Sequence, residues 1–161
     1  MPRYPIAEYT QTEFDVLRAR LARGRDTLRN GGALLQSVAR AYYLVYVTAS
    51  FLAGKYGVTA IRKSVNASNE QQFSHSELPA LVYALYSGNK RETVQNVGST
   101  PGIVSGTFDE NLAYRKADAL MRARVIADYG PTETVEPYGV ALADSLLNIA
   151  QHLVEDLETL L

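Results

Sequence analysis

A chain of 161 residues is long enough to bury one hydrophobic core and reads as a single domain over residues 1–161. An apolar fraction of 47% and a charged fraction of 20% are ordinary for a water-soluble globular fold, and a net charge of −1 excludes a global basic field that would draw nucleic acid. With no cysteine, disulfides, thiolate metal sites and cysteine nucleophiles are excluded.

Residues 1–9 read as an irregular lead-in, because Pro2 and Pro5 interrupt any regular start. That stretch lacks the apolar run of a signal peptide, and no run elsewhere approaches a membrane span. A cytoplasmic protein with no membrane contact is the expectation. Thr10, with Glu13 three residues on, forms a capping box that opens a first helix. Phe14, Leu17, Leu21 and Leu28 share one face of it, and Asn30-Gly31-Gly32 ends it. Arg18, Arg20, Arg23, Arg25 and Arg29 occupy much of the remainder. A solvated surface with packed stems suits them better than a phosphate-contacting face, because acidic residues elsewhere balance the charge.

A second helix is expected over residues 33–53, apolar nearly all round apart from Arg40 and therefore buried on more than one side. Tyr42, Tyr43 and Tyr46 lie on it. They read mainly as core or subunit-contact residues, with one of them lining a polar cleft. Residues 54–72 form a polar connection. Ser74 and Glu77 repeat the capping-box pattern before a short helix carrying Leu78, Leu81, Val82, Leu85 and Tyr86. His75, in its first turn, reads as a surface or capping residue. No second ligand stands at metal-binding spacing from it, so no metal site is assigned.

Residues 90–106 form a second loop, whose irregular glycines match no phosphate loop. Thr107 and Glu110 open the next helix, with Leu112, Ala113, Ala117, Leu120 and Ala123 on it. Its alanines permit close helix approach. After Gly130-Pro131, Thr132 or Thr134 starts the last helix, and Pro137 is tolerated in its first turn. Leu142, Leu146, Ile149, Leu153, Leu157 and Leu160 then recur at threes and fours, with His152 beside that seam as a structural or exposed residue. No segment shows strand alternation. The expected fold is all-α, with four long helices and one short one, antiparallel where the links are short.

Polar chemistry concentrates in residues 120–129, the last turns before Gly130-Pro131. Arg124 and Asp128 are four apart, share a face and can pair. Arg122 and Tyr129 lie in the same turns. An arginine, a carboxylate and a phenol at the end of an apolar helix are more than packing requires.

Arg124-Val125-Ile126-Ala127-Asp128-Tyr129 resembles the Arg-x-x-Ala-Asp-Tyr signature of small prokaryotic HEPN-domain proteins. Ala39-Arg40-Ala41-Tyr42-Tyr43-Leu44-Val45-Tyr46 is similar to that family's Tyr-Tyr-Ala-x-Phe helix, and Phe73-Ser74-His75-Ser76 to its His-Ser-Gly helix start. The blocks come in the family order. The resemblance implies a HEPN-like antiparallel helical bundle and a two-fold homodimer whose signature helices meet near the axis. No cofactor is expected. Active HEPN proteins look like metal-independent endoribonucleases. In them an arginine stabilises charge at phosphorus and a histidine a few residues on moves the proton. Here Tyr129 holds the histidine place, whether counted from Arg124 or Arg122. A phenol that ionises near ~10 is a poor proton acceptor at neutral pH.

By this resemblance Arg124, Asp128 and Tyr129 are the catalytic candidates, and Arg122, Tyr42 and Tyr43 the binding candidates. The leading expectation is a dimeric module, non-catalytic or weakly catalytic, that binds RNA, a nucleotide or a protein partner. Its setting would be a prokaryotic toxin–antitoxin or defence system, with a minimal nucleotidyltransferase-type protein as partner. Two alternatives stay open: an endoribonuclease in which Tyr129 or Asp128 handles protons, and a purely structural assembly subunit. The simplest reading of Arg124, Asp128 and Tyr129 is a hydrogen-bonded knot that fixes the helix end.

Overall fold

The computed structural model describes residues 6–60, 75–87, 94–96, 110–129 and 140–161. In chain order they form α1 (Gln11–Asn30), α2 (Leu34–Tyr56), β1 (Val58–Ala60), α3 (Leu78–Ser87), β2 (Val94–Asn96), α4 (Glu110–Tyr129) and α5 (Val140–Glu158). Single 3-10 turns at Ile6–Glu8 and His75–Glu77 lead into α1 and α3. Four helices of 19 to 23 residues and one of 10 make the fold helical, as expected.

Local chemistry sets the ends of α1. The Thr10 hydroxyl accepts from the Glu13 N–H at 3.2 Å while the Glu13 carboxylate accepts from the Thr10 N–H at 3.4 Å. At the other end Gly32 has φ of +83°, a left-handed conformation that favours glycine, and the chain reverses into α2. The reversal lays α1 against α2, so that Phe14 near the start of one stacks on Phe51 near the end of the other, with ring centroids 4.3 Å apart. α1 also runs opposite to α5. Arg18 reaches Glu158 at 3.2 Å, Arg25 reaches Gln151 at 3.2 Å, and Arg29 grips Asp144 through two bonds of 2.8 and 3.0 Å. Three of the five arginines therefore tie helix to helix, and Arg20 and Arg23 are exposed. Much of this face is thus an interhelical contact and not the solvated surface read from the sequence.

α2 is the axis of the molecule, and α1, α3, α4 and α5 all pack on it. Val38, Ala41, Tyr42, Val45, Ala49, Leu52 and Ala53 are fully buried. Ser37 and Thr48 are buried too, and their hydroxyls donate to the Leu34 and Leu44 carbonyls one turn back at 2.6 and 2.8 Å. Such back-bonding lets a polar residue sit inside without an unmet donor. α4 turns Ala113, Ala117, Leu120 and Ala123 inward, and their small side chains allow the close approach anticipated. α5 buries Ala143, Leu146, Ala150, Leu153 and Leu157, whereas Leu142 at its start is 47% exposed. His152 is exposed.

Two details differ from the sequence expectation. α2 runs to Tyr56, past the expected stop at Ala53. Its last turn is held from outside: Lys55 Nζ and the Tyr56 hydroxyl both donate to the Leu160 carbonyl, at 3.1 and 2.6 Å. Gly57, with φ of +69°, then closes the helix. The second difference is an antiparallel ribbon pairing Val58 with Asn96 and Ala60 with Val94, inside stretches read as loops. Strands of three residues are too short to show alternation. The caps expected at Ser74, Thr107, Thr132 or Thr134, and the Gly130-Pro131 stop, lie outside the described residues. Among the described residues no helix is long and apolar enough to cross a membrane.

Candidate functional site

Arg124, Asp128, Tyr42, Tyr43 and His75 meet where the end of α4 comes against the middle of α2 and the turn before α3. On α4, Ala123 faces the core, so its neighbour Arg124 lies at the boundary, with 11% of its side chain exposed. One turn on, Asp128 takes the Arg124 Nε–H at 3.1 Å, the pairing expected from their spacing. From α2 the Tyr43 hydroxyl donates to the same Asp128 oxygen at 3.3 Å, beside the Arg124 guanidinium. The Arg124 guanidinium carbon lies 5.7 Å from the ring centroids of both Tyr42 and Tyr43, within cation–π range. Burial works against the guanidinium charge. Tyr43, Tyr42 and Asp128 outweigh it, and the Arg124 pKa moves up.

His75 packs against the same rings. Its Nδ1 is 2.7 Å from the Tyr42 hydroxyl. Its ring centroid lies 5.6, 5.8 and 4.6 Å from those of Tyr42, Tyr43 and Tyr46. Burial pushes its pKa below the ordinary histidine value, Arg124 adds to the effect, and Asp128 opposes it. Tyr42 is fully buried. Burial lifts its pKa well above that of a free phenol, and Arg124 offsets only part of the rise. Its hydroxyl therefore keeps its proton and remains a fixed partner for the imidazole. Tyr46 is raised by burial as well, partly offset by the nearby Ser50, and the buried Glu77 carboxylate adds to the rise.

The structure thus brings together four of the candidates, Arg124, Asp128, Tyr42 and Tyr43. Arg122 does not join them. Its side chain is 76% exposed and pairs with Asp118 one turn back at 3.1 Å. Tyr129 ends α4, and its side chain lies outside the described residues. The reading of His75 as a surface or capping residue gives way to a partly buried one in a cup of three tyrosines. A signal for this was available: three tyrosines on a buried helix need hydroxyl partners, and the chain has only two histidines. Among the described residues no group of three His, Asp or Glu side chains could hold a metal ion.

The depressed His75 pKa has a consequence for stability. The charged groups that act on it are Arg124 and Asp128 on α4, and the Tyr42, Tyr43 and Tyr46 rings of α2 pack around it. The fold favours the neutral ring, so the unfolded chain binds the proton more readily. The contribution is complete above the unfolded value of about 6.5 and is lost as pH falls through the lower folded value. The wild-type urea midpoint is expected to drop more between about pH 7.5 and 5 than that of His75→Gln. Equal drops would contradict the burial of a neutral imidazole here.

Comparison of the chain with protein-family models, curated proteins and solved structures finds no match. The HEPN resemblance therefore rests on the residues themselves.

Proposed function

We propose that the chain is a dimeric HEPN-like helical module that binds RNA at the Arg124 end of α4. One observation carries this reading: a guanidinium oriented by Asp128 and backed by two tyrosine rings sits at the edge of the core instead of in open solvent. A planar cation with five N–H donors can hold its carboxylate and a phosphate oxygen at once. Tyr43, half-buried beside it, adds a face on which a base can stack. The net charge of −1 argues for a single local contact of this kind and against a broad basic surface. Exposed Leu112, Val125 and Ile126 along α4 supply apolar surface for the second protomer. By the resemblance, the setting is a prokaryotic toxin–antitoxin or defence system with a nucleotidyltransferase-type partner.

Within α4 the place of the proton carrier is taken by Tyr129, so the helix motif alone binds and does not cut. The test is titration of a labelled single-stranded RNA with the full chain in EDTA, read by fluorescence anisotropy. Saturable binding that weakens as salt rises supports the reading. An unchanged signal up to high protein concentration overturns it.

A further inference from the structure

We infer that the outer face shared by α1 and α2, where Arg20, Arg23 and Arg40 stand exposed, docks an acidic segment of a partner protein. The inference is independent of the RNA-binding reading of Arg124. Arg20 and Arg23 are three apart on α1 and therefore neighbours on its surface, and Gly24 lies one turn on from Arg20. A Cβ built on Gly24 would lie 3.9 Å from the Cδ and Nε of Arg40, so the Arg40 stem crosses α1 at a position with no side chain to hold it off. The three arginines therefore share one patch. Among the described residues, Arg18, Arg25, Arg29, Arg122 and Arg124 each meet a carboxylate at 3.2 Å or less, whereas Arg20, Arg23 and Arg40 meet none.

The carboxylates of α1 are committed elsewhere: Glu13 to the capping box, Asp15 to Arg18 and Asp26 to Arg25. The patch thus keeps its positive charge in a chain whose net charge is −1. A single exposed ion pair contributes little, but carboxylates that meet several converging guanidiniums gain bidentate geometry and faster encounter. The class of occupant follows from what else the face carries. Val16, one turn before Arg20, is 54% exposed and offers an apolar contact beside the charges. The only aromatic ring of α1, Phe14, is fully buried, so this stripe gives a nucleic-acid base nothing to stack on. One valine is also too little apolar surface to enter a bilayer. Arginines beside an exposed aliphatic side chain, without a ring, fit a protein segment that carries carboxylates next to an apolar residue.

The experiment uses the full chain and a labelled synthetic peptide with glutamates and leucines at helical spacing, alongside its counterpart with every glutamate replaced by glutamine. Wild type is expected to bind the acidic peptide saturably, less tightly as salt rises, and at least about tenfold more tightly than the glutamine peptide. Arg20→Gln, Arg23→Gln and Arg40→Gln combined are expected to remove that preference. All three side chains are exposed, so circular dichroism should show an unchanged helix content. Gly24→Glu and Gly24→Gln separate charge from folding. Both replace a glycine inside a helix and should raise Tm. Only Gly24→Glu sets a carboxylate beside Arg40, and it alone should weaken binding of the acidic peptide, by about 3- to 10-fold. No saturable binding, equal binding of the two peptides, or a preference that survives the triple substitution overturns the docking surface. Equal effects of the two Gly24 variants overturn the part of Arg40. A single-stranded RNA, or phosphatidylglycerol vesicles, losing more affinity than the acidic peptide on the triple substitution overturns the protein occupant.

Discussion

Arg124→Ala is expected to weaken RNA binding about 10- to 100-fold, the range that follows from losing one charge-assisted hydrogen bond of roughly 1.5–3 kcal/mol. The substitution removes the group that Asp128, Tyr42 and Tyr43 jointly orient. It leaves the core intact, because the packing of α4 rests on Ala113, Ala117, Leu120 and Ala123. Asp128 keeps its bond from Tyr43 and lies at the exposed edge, so no buried charge is stranded. Circular dichroism should therefore show an unchanged helix content while anisotropy shows the loss. Arg124→Lys should fall between the two, since it keeps the charge but loses the planar fork that spans two acceptors. The salt slope of binding should drop by about one for the alanine variant. Equal affinity in wild type and Arg124→Ala would remove Arg124 from the interface.

Phe14→Ala is expected to destabilise the fold by about 3–5 kcal/mol, a large share of the ~5–15 kcal/mol typical of a domain. The ring is fully buried and stacks on Phe51 with an interplanar angle of 5°. The Arg18 guanidinium carbon lies 5.1 Å from its centroid, so truncation also takes away the surface on which that arginine's stem rests. Nothing nearby is placed to refill the space cheaply, because the neighbouring face of α2 is itself fully packed around Leu52 and Ala49. At roughly 2–4 °C per kcal/mol for a chain of this size, calorimetry should show a fall in Tm on the order of 10 °C. A loss below about 1 kcal/mol would mean that the start of α1 frays and contributes little to the core.

Features set by neighbours in the chain were readable without a structure. Thr10 and Glu13 start α1 and the paired glycines at 31 and 32 end it, because caps are local chemistry. The Arg124–Asp128 pair follows from helical spacing, and the inward alanines of α4 follow from periodicity. What long-range packing decides was not readable. The need of the buried tyrosines for hydroxyl partners hinted at a histidine, but His75 is 33 residues from Tyr42 and no local pattern says which one a 3-10 turn delivers to them. The extra turn of α2 depends on a carbonyl more than 100 residues away. The face of α2 carrying Tyr42, Tyr43 and Tyr46 looked like core because aromatic side chains fill cores. It is core at Tyr42 and Tyr46, and yet their rings enclose the most polar chemistry of the described residues.

The most direct measurement is ultraviolet crosslinking of a uridine-containing single-stranded RNA to the full chain, with adducts mapped by mass spectrometry. Tyr43, half-buried beside Arg124, should carry the adducts. Adducts confined to the arginine face of α1, between Arg18 and Arg29, would place RNA on the wrong side of the molecule and contradict the account.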